Sequence, residues 1–435
     1  MLDRRAKRRQ ISGTVTASDS SAAAVTFGPF ALDPTAPRLL RDGAEVKLRP
    51  QAVHALRALL RHRGSFIGYD LLIAEAWGGT FVARHTVDVT IGEVKRSLGE
   101  YGRWITHRPK IGFQLEVPTS DDLVRKGWHF WNRRTREGAE LAIECFQQAA
   151  AECSEDFRAF EGLSTCYLML ATFGMRLPGE VYPGFLDAHA RAVALGGLRA
   201  ELRCNLAHGL HLFERRLVEA EAEFRTALEE KPTLGSTHVR AALLYATLGR
   251  LDAALDLLER GSKADPLLPT LPATEVHVRL WRREFDQAIA LGRKAVELHP
   301  YLQIGRVNYA QALEFAGRLD AALTQYQLAC VMSPDLPWLR ALEGTCLAKL
   351  GRTADALSIL EELEQLRRSE YIDAFSMAVL RQGLGHRREA LGELERAGEE
   401  SSAFLYSMNV DPKMDDFRGD PRFTRLMASL FPGRM

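Results

Sequence analysis

A short block of sequence returns in this chain at a fixed interval, and that interval limits the fold more than any single motif does. GRLDAALDLL from Gly249 and GRLDAALTQY from Gly317 nearly coincide, and related turns begin at Arg215, Arg283, Gly351 and Gly385. Successive starts are 34 residues apart. A unit this short cannot bury an apolar face by itself, so each must lie against the next and the whole must stack. Five residues after each start stands an alanine: Ala220, Ala254, Ala288, Ala322, Ala356 and Ala390. The next position is apolar in Leu255, Ile289, Leu323, Leu357 and Leu391, with Glu221 the departure. Twelve after the start come Ala227, Gly261, Ala295, Ala329 and Ala397, with Leu363 departing. Small residues at such points let two helix backbones approach closely. Pro232, Pro266, Pro300 and Pro334 stand seventeen after the start, where they end one unit before the next begins. Glycine at the start permits the tight turn between the two helices. These residues are expected to be packing rather than sites.

The array resembles tetratricopeptide repeats over roughly residues 123–400. The resemblance implies stacked helix pairs in a right-handed superhelix, whose concave face holds a protein or peptide. A weaker unit is read from 137 (Ala142, Ile143, Phe146 and Ala149) and another near 181, with FGMRLPGE between them as a spacer. DPKMDDFRGDPRFTRL, residues 411–426, is similar to sequence that closes such arrays and reads as a cap. WHFW at 128–131 opens the first repeat helix and reads as core. His208 and His211, three apart on a helix, lack nearby acidic or Cys partners and read as structural.

Charge separates the two ends. The chain has 57 Lys and Arg against 56 Asp and Glu, but residues 1–118 hold 18 of the basic and 11 of the acidic side chains. A basic head on an acidic body points to a polyanionic partner for the head alone. Within it, VTFGPFALD, PRLLRDG and AEVKL read as three short strands, with Asp42-Gly43 as a hairpin turn. RPQAVHALRALLRHRG and DLLIAEAW read as helices that stop at Gly64 and Trp77-Gly78. In HTVDVTIGEVKRSLGE, Val87, Ile91, Val94 and Leu98 fall on one face, and His85, Val89, Glu93 and Arg96 on the other. WITHRPKIGFQLEV reads as strand, basic turn and strand.

AEAWGG at 74–79, HTVDVTIGEVKRSLGE at 85–100 and THRPKIGFQL at 106–115 together resemble the OmpR/PhoB-type winged helix. The resemblance covers about residues 25–118 and implies double-stranded DNA as partner, with the third helix in the major groove and the wing on the backbone or minor groove. It implies as DNA-binding residues Arg84, His85, Thr86, Val89, Thr90, Glu93, Lys95, Arg96, Arg108 and Lys110. His85 and Thr90 replace the usual arginine and histidine, Glu93 stands in place of a base-reading arginine, and Phe113-Gln114 replaces tyrosine-arginine. The layout is similar to HilA-like soluble regulators. The expected fold is thus an α+β winged helix-turn-helix domain (25–118) followed by an all-α tetratricopeptide superhelix (119–403) and a capping segment (404–435). Residues 1–24, including RRAKRR at 4–9, read as a disordered basic arm able to reach a minor groove.

Other function classes lose ground. No run of about 18 apolar residues occurs, so no membrane partner is expected. MLDRRAKRRQ is followed by polar sequence, unlike a secretory signal. Six cysteines without a CxxC pair point to a reducing cytoplasm rather than a disulfide framework. There is no Gly-rich phosphate loop, HExxH or GxSxG, so neither an enzyme nor a cofactor is expected. Few residues precede the first strand here, so no receiver domain is expected. Two readings remain: a DNA-binding transcription regulator whose array senses a partner or effector, and a protein-interaction scaffold whose winged helix no longer reads DNA.

Overall fold

The computed structural model describes residues 24–33, 36–41 and 43–431. The arm at 4–9 and Asp42 of the expected hairpin turn lie outside these residues. The chain forms two compact units, divided between Pro118 and Thr119.

The first unit opens with an antiparallel sheet of β1 (Val25–Phe27), β2 (Phe30–Leu32), β3 (Leu39–Arg41) and β4 (Ala44–Val46), paired in that order. Three strands were expected and four are present. VTFGPFALD is a hairpin rather than one strand, because Gly28 takes a φ of 54° and sets Phe27 opposite Phe30. Their rings stack at 5.3 Å and both are fully buried. Helix α1 (Pro50–Arg61) begins with proline at a position that needs no N–H donor. It is followed by β5 (Phe66–Ile67), α2 (Tyr69–Trp77), α3 (Arg84–Ser97), β6 (Ile105–Arg108) and β7 (Gly112–Leu115). The last three strands form a second sheet in the order β5-β7-β6. The short β5 had no signal in the sequence, since its two residues are a strand only by pairing Phe66 with Gln114 and Ile67 with Phe113. One core joins both sheets to the three helices through Phe27, Phe30, Leu56, Ile67, Leu72, Val87, Ile91 and Phe113.

The second unit is all helix pairs: α4 (Ser120–Trp131) with α5 (Arg136–Glu152), α6 (Phe157–Thr172) with α7 (Pro178–Gly196), and α8 (Ala200–Gly209) with α9 (Leu217–Glu230). Then come α10 (Gly235–Thr247) with α11 (Leu251–Ala264), α12 (Thr270–Trp281) with α13 (Phe285–Leu298), and α14 (Gln303–Phe315) with α15 (Leu319–Met332). The series ends with α16 (Pro337–Lys349) and α17 (Thr353–Leu366), α18 (Ala374–Gly383) and α19 (Arg387–Glu399), and finally α20 (Pro421–Leu430).

Every repeat start read from the sequence lies between the helices of a pair, with φ from 55° at Arg215 to 79° at Gly385. Three further left-handed turns extend the series. Gly419 continues the period on the C-terminal side, and Arg134 and Gly174 stand before Arg215 at wider spacing. The spacing is wider because α5 and α7 run 17 and 19 residues, against 14 for α9 through α17 in the second positions. The early units therefore start at 134 and 174, not at the expected 137 and near 181; position 181 falls inside α7. All six alanines five after a start have no exposed surface. A Cβ on Gly261 would come within 2.6 Å of the Leu271 side chain and 2.7 Å of the His238 Cβ, so that crossing admits only glycine.

The array curls until its first and later pairs meet. The Arg136 backbone N–H donates to Asp335 at 2.6 Å and its guanidinium to Glu370 at 2.6 Å. Residues 403–417, expected as part of a terminal cap, run inside this curl. Tyr406 lies among His211 and Trp281, and Lys413 donates to Gln311 at 2.9 Å. Arg283 secures this segment: it donates to the Val410 carbonyl at 2.9 Å and pairs with both oxygens of Asp415 at 2.8 and 2.9 Å. That bond explains an arginine at a left-handed turn where its counterparts at 249, 317 and 351 are glycine.

Arg283→Gly should ease the turn yet release the inner segment, seen as faster amide exchange in residues 403–417 with little change elsewhere in the array. Unchanged exchange there would remove Arg283 as the tie. Burial also depresses His211 and His277 to about 3. The unfolded chain then takes up protons first, so stability present above about 6.5 is lost as pH falls toward the folded values. Urea unfolding at pH 5 should show the array weaker than at pH 7.5 by roughly 2 kcal/mol per histidine, and His277→Gln should recover part of the difference. Equal midpoints at both pH values would contradict the burial account.

Candidate nucleic-acid interface

Helix α3 is held by one face. Val87, Thr90, Ile91 and Val94 are buried, and they share a face by the 3.6-residue period. The opposite stripe is His85, Val89, Gly92 and Arg96; Val89 has 44% of its surface exposed although it is apolar. Arg84, Thr86 and Asp88 are exposed along the flanks and Lys95 is half-buried. Gly92 leaves the middle of the stripe without a side chain, and the Arg96 guanidinium lies over it, 3.6 Å from where a Cβ would stand.

Two expected site residues are corrected. Thr90 is 4% exposed and its hydroxyl donates to the Thr86 carbonyl at 2.8 Å, so it cannot meet a base edge. Glu93 does not occupy the outward stripe. Its carboxylate accepts from the Arg49 Nε at 2.6 Å and from the Arg49 backbone N–H at 3.1 Å. This hydrogen bonding, first from the Arg49 side chain, holds the Glu93 carboxyl below its usual range. Glu93 thus anchors the start of α1, 44 residues away, and its charge is matched.

The wing is β6, an exposed turn of Pro109, Lys110 and Ile111, and β7. Lys110 sits at φ 71°, and Gly112 at φ 131° is obligatory because a Cβ there would lie 2.0 Å from the Ile67 carbonyl oxygen. Arg108 rests its guanidinium over the Phe66 ring at 4.9 Å. A group that includes three residues not singled out in the sequence, Tyr69, Asp88 and His107, ties wing to helix. The Tyr69 hydroxyl donates to Asp88 at 2.7 Å and lies 3.2 Å from the His107 ring nitrogen. His107 stacks on Phe113 at 4.6 Å, and Arg84 covers the Tyr69 ring at 5.1 Å. Burial and the Asp88 hydrogen bond raise the Tyr69 pKa, keeping its proton available to donate. The only signal for these residues was their place beside α3 and the hairpin; their mutual contact needed the fold.

The surface so built is basic and uncommitted. Arg84, Lys95, Arg96, Arg108 and Lys110 make no salt bridge among the described residues, whereas Arg61 and Arg49 are paired. Asp88 and Glu93, the acidic groups on α3, are each held by a donor. Such a surface can displace counterions from phosphate and present a helix to base edges.

Residues 43–115 match the family described as "Transcriptional regulatory protein, C terminal". The transcriptional activator CadC of Escherichia coli is 29% identical over 98 residues, which are 22% of this chain and 19% of CadC. The transcriptional regulatory protein KdpE of Mycobacterium tuberculosis is 27% identical over 114 residues, 25% of this chain and 50% of KdpE. The chain thus spans half or less of these relatives. The solved structure of the human IFIT1 dimer with PPP-AAAA shares the fold, with a TM-score of 0.51 at 18% identity, over 83% of this chain and 82% of that one.

Tyr69→Phe removes the hydroxyl that joins α2, α3 and β6. The first unit should lose about 1 kcal/mol in denaturant unfolding, and exchange should quicken at His107 and Arg108. A variant as stable and as protected as the parent would show that the contact does not hold the wing.

Proposed function

Residues 43–115 being an OmpR/PhoB-type domain, we propose that this chain is a DNA-binding transcription regulator. Helix α3 enters the major groove with His85, Val89 and Arg96 toward base edges, and Arg84, Thr86 and Lys95 toward the groove walls. Arg108 and Lys110 on the wing meet the backbone or the adjacent minor groove. The observation that carries this reading is the set of cations without ion pairs across α3 and the wing, on an element whose own acidic groups are each held by a donor from another element. Val89 suits the methyl group of thymine. Residues 4–9 add cations close by in sequence.

Glu93, in place of a base-reading arginine, and Gly92, a weak helix former, would favour a scaffold that no longer reads DNA. The bond of Glu93 to Arg49 weakens that argument, since the carboxylate neutralises a neighbouring cation instead of facing the groove. The array is the receiver of a partner or effector in this reading. A peptide laid along the inner face is the less favoured form, because residues 403–417 already occupy part of it. No described helix is long and apolar enough to cross a membrane, and the proposed compartment is the cytoplasm, where the six free cysteines stay reduced.

Lys95→Ala with Lys110→Ala should weaken duplex binding about equally for all sequences and lower the log–log salt slope by about 1 for each lost phosphate contact. Gel shifts across a salt series measure both. Unchanged affinity and slope would take these residues, and the proposed orientation of α3, out of the interface.

A further inference from the structure

The curl of the array encloses a cavity of about 330 Å³. That is within the range of small-molecule sites, which are mostly apolar with a few placed polar groups. Its wall is largely aromatic and aliphatic, including Trp131, Leu168, Met169, Val239, Trp338 and Phe404. Two guanidinium groups, Arg134 and Arg240, and the His208 ring break this wall.

The cations are poorly matched for their surroundings. The Arg134 guanidinium lies over the Trp131 ring at 3.5 Å, but none of its side-chain N–H groups has an acceptor among the described residues. Arg240 gives one nitrogen to the Asn205 amide oxygen at 2.6 Å and to Cys204, and meets no carboxylate. The one carboxylate of the wall, Asp411, is taken by Lys413 at 2.9 Å. His208 is 4% exposed and its Nδ1 has no partner. Burial, and then the charge of Arg240, push the Arg134 guanidinium down to about 10. Both arginines are half-buried in this mostly apolar wall, and a cation that has lost part of its hydration favours an anionic partner. A guanidinium stacked on an indole keeps its in-plane edge open for a bidentate carboxylate.

We infer that the cavity is a binding site for a small carboxylate with an apolar body, its carboxylate on Arg134 and Arg240 and its body among Trp131, Trp338 and Phe404. A tail against aromatic walls accounts for the lining, and one anionic head accounts for the unmatched cations. Inorganic phosphate would satisfy the cations but leave the apolar wall without a role. The site gives a chemistry to the effector left open above. It rests on that reading only for its regulatory meaning, and binding is measured without DNA, so either idea can fail alone.

Calorimetric titration of the full chain with decanoate below its micellar concentration, with decanol and with inorganic phosphate tests the assignment. One decanoate should bind per chain, at least tenfold tighter than decanol, and phosphate should bind weakly or not at all. Arg134→Gln with Arg240→Gln should lower decanoate affinity tenfold or more and leave decanol unchanged. Absent decanoate binding, equal affinity for decanoate and decanol, or phosphate bound more tightly than decanoate would each overturn the inference. So would a folded double variant that binds decanoate as the parent does. The comparison of decanoate with decanol uses the unaltered chain, so a variant that fails to fold does not remove the test.

Discussion

A residue held in the left-handed region of backbone space separates the two helices of each pair, and the array is organised around it. A left-handed residue ends one helix within a single step and turns the chain back on itself. The second helix then begins two residues later, at 217, 251, 285, 319, 353 and 387. The alanine three positions further on falls at the same depth in every unit, against the same neighbour. Constant turn geometry and constant small residues produce constant rotation from pair to pair, and the accumulated rotation closes the curl. At two of the three turns where the residue is arginine the side chain has other work: Arg283 binds the inner segment, and Arg134 faces the cavity.

The winged-helix unit depends on a comparable economy of charge. Positive groups that would otherwise repel are left on one surface, while each carboxylate of α3 is given a donor from another element. Arg49 at the start of α1 takes Glu93, and Tyr69 at the start of α2 takes Asp88. These bonds fix the rotation of α3 about its axis, which decides the stripe that faces outward. The Arg49 pair also neutralises Glu93, and the five cations of the surface then outnumber Asp88, so the local field stays positive, as binding to a polyanion requires.

Much of this was legible in the sequence because packing leaves periodic marks. The six turns from 215 to 385, the buried alanines and the apolar face of α3 follow from residue type at fixed spacing. Thr90 was legible too: it stands three after Val87 and four before Val94, on the buried face, and its polarity hid that position. What was not legible depends on contacts far apart in sequence. Glu93 finds Arg49 across 44 residues, and Arg283 finds Asp415 across 132. The turns at 134 and 174 escaped because longer helices shift them off the period. The hairpin at Gly28 escaped because two short strands of one alternation read as a single one. The entry of residues 403–417 into the curl has no local signature, since their apolar residues suit an end cap equally well.

The orientation of α3 against a duplex is the central claim, and crosslinking tests it most directly. A photoreactive phenylalanine analogue placed at Val89, in the outward stripe, should attach to bases of a selected duplex when irradiated. The same analogue at Val218, 82% exposed on the array, should not. Attachment from 218 with none from 89 would mean that the acidic array, not the third helix, lies on the DNA, and would contradict the account.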